Sequence, residues 1–177
     1  RVATDIMYDN VMNKFMWGGM DKPGVNMDEN STRMTSNLRM QMSILATALI
    51  SEGKKSKAEK VLDKCLEVMP EENIPFDATV FTMVAAYYEL GKPEKANKLS
   101  KKLFEIYEHD LRIYAAQKRN RQPAYARDVE QGKEILRRLT GLAQQYKQDE
   151  LYKNYMDRLP SLMSREDLAG QAEPVMN

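Results

Sequence analysis

The sequence has few of the residues that build disulfides, metal sites or membrane spans. Its one cysteine, Cys65, excludes an intramolecular disulfide. Its one histidine, His109, leaves too few ligands for a zinc site of ordinary composition. No apolar run is long enough to span a membrane, and none follows Arg1 as in a signal peptide. We therefore expect no membrane insertion by these residues.

Catalytic chemistry also lacks a recognisable pattern. A hydrolase or transferase needs a nucleophile with a base, paired carboxylates in a cleft, or metal ligands at workable spacing. Asp28 and Glu29 are adjacent, which fits charge compensation at a helix N-terminus better than a catalytic pair. Gly18 and Gly19 lack the further glycine and lysine of a phosphate-binding loop. We expect no catalytic, cofactor-binding or metal-binding residue, and hence no enzyme in this region alone.

The charges are nearly balanced overall but unevenly placed. The formal net charge is +1, whereas residues 91–147 hold fourteen Lys and Arg against seven Asp and Glu. This basic region is either a binding face or solvated helix surface. Because its cations are not interleaved with aromatic residues as in a nucleic-acid-binding module, we expect no nucleic-acid partner.

Eight glycines and seven prolines in punctuating positions favour helices, and one internal repeat is visible. "LATALISEGKKSKAEKVLDKCLEV" from Leu45 aligns without gaps on "MVAAYYELGKPEKANKLSKKLFEI" from Met83. The alignment superposes Gly53 on Gly91, Lys54 on Lys92, Lys57 on Lys95, Ala58 on Ala96 and Val61 on Leu99. Each copy predicts two helices joined by a tight turn, with an alanine where the second helix presses on the first.

The two copies resemble tetratricopeptide repeats, in which small, large apolar and alanine positions recur at fixed places. The second copy departs from that pattern at Ser100, where an apolar residue is usual, and at Glu108, where proline is usual. Cys65 lies at an inward helix position, so a small buried hydrophobe is favoured over a reactive thiol. The predicted fold is all-α, a right-handed α-α superhelix of tetratricopeptide-like helix pairs with an N-terminal helical cap.

The predicted organisation is one helical repeat domain over residues 1–160, followed by a loosely held tail over 161–177. Within the domain we expect a cap helix and loop over 1–33, repeat one over 34–70, repeat two over 76–118 and a degenerate third pair over 124–160. The second repeat's last helix has no breaker before about Gln117, and Pro123 opens the next one.

In a superhelix of this kind the first helix of each pair faces the concave side, where extended peptides bind. The repeat frame places these residues there: Met40, Ser43, Thr47, Ile50, Ser51, Ala78, Phe81, Ala85, Tyr88 and Glu89. They predict a groove for a protein or peptide partner. The alternative is that flanking helices fill the groove.

The N-terminal segment contains the chain's only tryptophan, in "FMWGG". Thr4 is a good N-cap for a first helix, Gly18 a C-cap, and Trp17 is expected to fold back on Phe15 or on the first repeat. "NST" at Asn30 is a formal glycosylation sequon, but a capping Asn30 or Ser31 at the start of the second helix explains it better.

Three stretches together resemble a known family: "MYDNVMNKFMWGGMDKPGVNMDENSTRMTSNLR", "LISEGKKSKAEKVLDKCLEVMPEENIPF" and "YYELGKPEKANKL". They are similar to the C-terminal soluble region of large Bacteroidetes membrane proteins, over about residues 2 to 115. In that family a multi-pass part similar to C-type glycosyltransferases precedes a tetratricopeptide-like tail, and a eukaryotic relative is a protein O-mannosyltransferase. The absence of an initial methionine fits an excised or processed part of such a protein.

The resemblance implies a noncatalytic tail at the periplasmic face of the inner membrane, serving protein O-glycosylation. Its catalytic acid and donor site would lie in the upstream membrane domain, so no catalytic residue is carried over. Asn13, Trp17 and Gly19 then become candidates for a contact with that domain. The competing hypothesis is a free-standing tetratricopeptide adaptor that binds a peptide or protein.

Overall fold

The computed structural model describes residues 3–25, 27–117 and 122–163. Within these ranges every regular element is a helix, which confirms the all-α prediction. The seven α-helices are α1 (Thr4–Asp9), α2 (Glu29–Ser51), α3 (Lys55–Val68), α4 (Thr79–Glu89), α5 (Pro93–Ala116), α6 (Ala126–Gln145) and α7 (Asp149–Arg158). A π-helical turn (Asn10–Lys14) follows α1, and 3-10 turns (Gln122–Tyr125 and Leu159–Ser161) precede α6 and follow α7. The described helices include none with the length and apolarity to cross a bilayer.

The chain divides into two compact units, one ending at Leu99 and the other starting at Ser100. The boundary lies inside α5, so its first turns belong to the first unit and the remainder to the second. The long helix expected to reach about Gln117 ends at Ala116. The predicted tail lies almost entirely outside the described residues, which stop at Met163.

The helix α2 begins differently from the prediction. The carboxylate of Asp28 accepts a hydrogen bond from the backbone N–H of Ser31 at 2.7 Å and is the N-cap. Asn30 and Ser31 both lie inside the helix, so neither is the predicted cap. An ionised carboxylate is favoured here because it satisfies a free N–H and faces the positive end of the helix dipole.

One corner geometry recurs at three places in the chain. Gly53, Gly91 and Lys147 have φ angles of 76°, 71° and 55°, in the left-handed region. The residue after each donates its N–H to a carbonyl five residues back: Lys54 to Leu49, Lys92 to Tyr87 and Gln148 to Ala143, at 2.8 to 2.9 Å. This is the Schellman pattern, which ends one helix and starts the next after a tight turn.

The third corner is strained because Lys147 carries a Cβ into a conformation that glycine adopts freely. At Gly91 an added Cβ would meet no atom within 4 Å, so substitution there changes backbone strain alone.

We therefore expect Lys147→Gly to be tolerated and to stabilise the second unit by up to about 1 kcal/mol, since relief of strain outweighs the added chain entropy. Gly91→Ala should destabilise the first unit by about 1 kcal/mol. Thermal denaturation followed by circular dichroism tests both changes. Shifts in the same direction for the two variants would contradict the shared corner geometry.

The core of the first unit lies where α2 packs against α3 and α4. Its fully buried side chains include Met42, Leu45, Leu49, Leu62, Cys65, Met69, Ile74 and Met83. Cys65 is thus a core residue, as its place in the repeat predicts. Burial raises the pKa of its thiol to about 12, which keeps it protonated and unreactive at neutral pH.

A charged side chain, Arg39 of α2, lies inside this core with no exposed surface. Its guanidinium donates to the carbonyls of Ile74 at 2.9 Å and Pro75 at 3.1 Å, and lies 5.2 Å from the centroid of the Phe76 ring. The carboxylate of Asp77 is 3.8 Å away. Burial lowers the pKa of Arg39 below its ordinary value, and Asp77 partly offsets that effect. Arg39 therefore fixes the segment 70–77, which joins the two predicted repeats, against α2.

Replacing Arg39 with methionine should lower the free energy of unfolding of the first unit by about 2–4 kcal/mol, because two carbonyls lose their donor. Arg33→Met is the matched control, since Arg33 lies on the same helix but is exposed, and it should change stability by less than about 0.5 kcal/mol. Urea denaturation measures both variants. Equal effects would show that the buried guanidinium contributes nothing specific.

The second unit is built around Tyr155 of α7. Its ring stacks on Phe104 of α5 with centroids 4.0 Å apart, and its hydroxyl lies 2.8 Å from the hydroxyl of Ser100. Ser100 is buried, so its departure from the repeat pattern has a reason: it is the hydrogen-bond partner of a buried phenol.

Glu108 explains the other departure from the repeat pattern. Its carboxylate accepts hydrogen bonds from Arg158 of α7 and from Arg112 one turn along α5. The hydrogen bond from Arg158 is the main reason why the pKa of Glu108 lies below its ordinary value. A proline here would end α5, whereas glutamate lets the helix continue and ties it to α7.

Candidate interaction surfaces

The predicted groove residues lie on α2 and α4, or just before α4, and they divide by exposure. Ser43, Phe81 and Tyr88 are buried, Met40, Ile50, Ala78 and Ala85 are half-buried, and Thr47, Ser51 and Glu89 are exposed. Ser43 donates to the carbonyl of Arg39 within its own helix. The fully exposed members of this set, Thr47, Ser51 and Glu89, are therefore polar.

Tyr88 shows why a large aromatic residue is absent from the accessible part. Its hydroxyl donates to the side-chain oxygen of Asn97 on α5, and burial raises its pKa to about 12. The side chain thus stabilises the contact between α4 and the start of α5. Phe81, at 9% exposed, is equally part of the packing.

The helix α1 contacts α2, and the π-helical turn after it contacts α3. Thr4 is not the predicted N-cap: Ala3 holds that position, and the buried Thr4 hydroxyl donates to Glu52 at 2.7 Å. Asp5 forms ion pairs with Lys54 at 2.7 Å and Lys57 at 2.8 Å. Their hydrogen bonds, that from Lys54 first, lower the pKa of Asp5 to about 2, so the contact persists throughout the neutral and mildly acidic range.

The two equivalent lysines of the second repeat also form ion pairs with carboxylates. Lys92 and Lys95, one repeat offset from Lys54 and Lys57, pair with Glu59 of α3 at 3.0 and 2.9 Å, and Lys95 also pairs with Asp63 at 2.8 Å. In each repeat, lysines after the corner glycine thus reach back to carboxylates on an earlier helix. The helix α1 thus supplies a carboxylate to Lys54 and Lys57, as α3 supplies carboxylates to Lys92 and Lys95.

These ion pairs also bear on the basic region 91–147. Lys92 and Lys95 pair with α3, Arg112 pairs with Glu108, and Arg137 lies 3.6 Å from Glu134. Part of the local positive charge is therefore used to hold helices together.

The residues between α1 and α2 form a loop, residues 15–25, that is folded by its own hydrogen bonds. The π-helical turn ends at Lys14 and Phe15 is already extended, so Gly18 is not the predicted C-cap. Instead Gly18 and Gly19 adopt positive φ angles within turns in which Met20 donates to the Trp17 carbonyl at 3.2 Å and Lys22 to that of Gly19 at 3.0 Å. We call residues 15–25 the Trp17 loop.

The Trp17 loop is attached to the segment that Arg39 fixes. The side-chain amide of Asn73 donates to the carbonyls of Met20 at 2.8 Å and Lys22 at 2.9 Å. The chain of contacts thus runs from α2 through residues 70–77 to the loop. Nothing in the local sequence around Trp17 indicates that Asn73 is its anchor, because the two are more than fifty residues apart.

The first residues of the Trp17 loop expose apolar surface. Met16 is 96% exposed and Phe15 44%, while Trp17 is half-buried and packs edge-on against Phe15 at 5.8 Å between ring centroids. The predicted fold-back of Trp17 on Phe15 is therefore correct. The other two predicted contact residues lie close by along the chain: Asn13 is exposed and donates to Asp9, and Gly19 is half-buried.

The one histidine, His109, has ordinary surroundings. His109 has an exposed side chain, 3.8 Å from the carboxylate of its neighbour Asp110. Across residues 3–25, 27–117 and 122–163, no three His, Cys, Asp or Glu side chains are placed to hold a metal ion.

Comparison of the chain with family models, with curated proteins and with solved structures finds no match.

Replacing Asn73 with alanine should release the Trp17 loop while leaving the helices folded, at a cost of about 1–2 kcal/mol. Since Trp17 is the only tryptophan, its emission should shift to the red as its half-buried side becomes hydrated. Glu72→Ala, at the exposed neighbouring position, is the control and should leave the spectrum unchanged. An unchanged spectrum in Asn73→Ala would show that the loop is held by other contacts.

Proposed function

We propose that this chain is a noncatalytic, tetratricopeptide-like interaction and support module, whose helix pairs continue as a right-handed superhelix. Its partner is the upstream membrane domain of the same polypeptide, a glycosyltransferase-like protein of protein O-glycosylation at the periplasmic face of the inner membrane. The resemblance of the segments around Trp17, Gly53 and Gly91 to the Bacteroidetes family supports this proposal.

The observation that supports an interaction role is the exposed apolar cluster of Phe15, Met16 and Trp17 at the start of the Trp17 loop. Exposing a methionine and part of two aromatic rings is unfavourable in water, by roughly 25 cal/mol for each Å² of apolar surface. Here the exposed groups lie at the start of a loop whose following residues, 17–22, are held by internal turns and by Asn73. A fixed, exposed apolar cluster is characteristic of a surface that another protein surface covers.

The position of that cluster suits a contact with preceding residues of the polypeptide. It follows α1, which is itself held to the first repeat by Asp5 and Thr4. A domain preceding α1 would therefore join the module beside the cluster, and the contact would set the angle between them. Asn13, Trp17 and Gly19 belong to that proposed interface.

The second candidate function, a free-standing adaptor, is favoured by a different observation. Thr47, Ser51 and Glu89 remain exposed on the first helices of the two repeats, where a bound peptide would find hydrogen-bonding side chains. The two candidates differ in which surface is covered: the Trp17 loop in the first, and α2 with α4 in the second.

The coding sequence upstream of Arg1 separates the candidates most simply. Multiple apolar spans in the same reading frame would support the membrane-protein assignment. A start codon within a few residues would exclude it and leave the adaptor.

We expect a photo-crosslinking amino acid at Met16, in the natural full-length protein in its own membrane, to crosslink to the membrane part of the same polypeptide. The same group at Lys60, exposed on α3, is the control and should give at least about tenfold less of that product, because proximity governs the yield. Equal yields from the two positions would contradict the proposed contact. A crosslink from Thr47 to a separate polypeptide would support the adaptor instead.

A further inference from the structure

Two adjoining cavities lie within the second unit, between the last turns of α5 and the first turns of α6. The larger has a volume of about 320 Å³, and its wall is mainly apolar: Leu111, Tyr114, Tyr125, Val129 and Leu162. The smaller has a volume of about 120 Å³ and is lined in part by carboxylates. Leu111 and Tyr114 belong to both walls, so the two cavities are neighbours along one groove.

The groove is built by fixed contacts. The rings of Tyr114 and Tyr125 stack with centroids 5.0 Å apart and planes inclined by 19°. The helices α5 and α6 approach closely at Gly132, where an added Cβ would lie 3.3 Å from Leu111. Helix packing and an aromatic pair therefore set the shape of the groove. A ligand binds a groove of fixed shape at a lower ordering cost than it binds a flexible one.

The smaller cavity is acidic, because Asp110 of α5 and Asp128 of α6 both line it. Among the described residues no lysine or arginine forms an ion pair with either carboxylate, and the exposed imidazole of His109 lies 3.8 Å from Asp110. Burial raises the pKa of Tyr114, and the charges of Asp110 and Asp128 raise it further, so both carboxylates act on the same hydroxyl from two helices. A cation bound between them would relieve their mutual repulsion.

The negative charge is confined to one end of the groove. Lys133, on the wall of the larger cavity, follows Asp128 by five residues on α6. That spacing places it about 7.5 Å further along the helix axis and about 140° around it. The groove therefore has an acidic end at Asp110 and Asp128 and an apolar end beside the tyrosine pair.

Those two ends select the chemistry of an occupant. An apolar cavity of about 150 Å³ accommodates a benzene molecule, so the smaller cavity has room for an ammonium or guanidinium group. The larger cavity offers an aliphatic side chain the half-buried Val129 and Leu162 and the two tyrosine rings. In an extended peptide, alternate side chains lie on one side, about 6.6 Å apart. That spacing suits two cavities that share Tyr114 as a common wall.

We propose that this groove binds an extended peptide segment of a partner protein, in which a lysine or arginine is followed two residues later by an aliphatic residue. The cation lies between Asp110 and Asp128, and the aliphatic side chain packs against Tyr114, Val129 and Leu162. The inference is independent of the proposed function, because neither candidate function uses this surface of the second unit.

Titration of the full chain with the acetylated, amidated peptide GSKALSG, followed by NMR of the backbone amides, tests the proposal. We expect saturable shifts confined to residues 110–114 and 128–132. The charge-reversed peptide GSEALSG should give no saturable shifts, because two carboxylates repel its glutamate. The peptide GSKASSG should bind at least about fivefold more weakly, because it lacks the aliphatic side chain that the larger cavity buries.

Protein variants test the acidic end separately. Asp110→Asn combined with Asp128→Asn should weaken binding of GSKALSG at least about fivefold, because two ion pairs are lost. The matched control, Glu105→Gln combined with Asp157→Asn, removes the same charge from exposed positions of the second unit. Salt screens charges at that distance, so the control should bind within about twofold of the unchanged chain.

Several outcomes would overturn the proposal. The absence of saturable shifts at millimolar peptide would exclude the site, and equal weakening by both charge-removing variants would show a general attraction by net charge. Binding of n-butylammonium as tight as that of the peptide would assign the groove to small amines. Shifts that grow with protein concentration alone would assign it to a second copy of the chain. Peptide binding that appears only after Lys118, Arg119 and Arg121 are replaced by serine would assign the acidic end to the chain's own cations.

Discussion

The buried guanidinium of Arg39 is the interaction on which the first unit depends. A cation without exposed surface is costly unless every surrounding group favours it, and here two backbone carbonyls, an aromatic face and the Asp77 carboxylate surround it. Its Nε has no hydrogen-bond partner within the described part of the chain, so the free-energy cost of burying the charge is only partly offset. The position of the guanidinium is therefore tightly constrained. Because the carbonyl groups that accept its hydrogen bonds belong to residues 74 and 75, the arginine converts an otherwise irregular segment into a fixed support. That support in turn carries Asn73, and through it the Trp17 loop.

A second constraint is that both repeats have the same corner between helices, followed by two lysines at equivalent positions. The corner sets the direction of each returning helix, and the lysines that follow it pair with carboxylates on an earlier helix. The third corner keeps the backbone geometry, although Lys147 replaces glycine. Leu151 lies four residues after that corner, at the position equivalent to Lys57 and Lys95 in the first two repeats, and it is buried. The third pair therefore turns like the others but is held by apolar packing and by the ion pair of Arg158 with Glu108.

Much of this could be predicted from the sequence because it is local or periodic. The alignment of the two copies predicts the corners at Gly53 and Gly91, and the repeat frame predicts that Cys65 is buried. Features that depend on distant partners were missed. Arginine is ordinarily a surface residue, and the burial of Arg39 is favourable only because residues 74–77 lie against it. A short turn after Tyr146 was predicted, but its likeness to the first two corners was not, because glycine was the signal for them and Lys147 adopts the same backbone without that signal. The cap assigned to Thr4 was wrong because a partner 48 residues away, Glu52, competes for its hydroxyl.

The interaction surfaces follow from the same contacts. Tyr88 and Phe81, which the repeat frame places in a groove, pack α4 instead, whereas Met16 of the Trp17 loop is 96% exposed. The most direct test of this account is native-state hydrogen exchange in Arg39→Lys, which keeps the charge but cannot reproduce the two-pronged donor geometry. The account predicts that residues 17–25 and 70–78 lose protection together, while α6 and α7 keep theirs. Loss of protection at residues 70–78 with the Trp17 loop unchanged would contradict it.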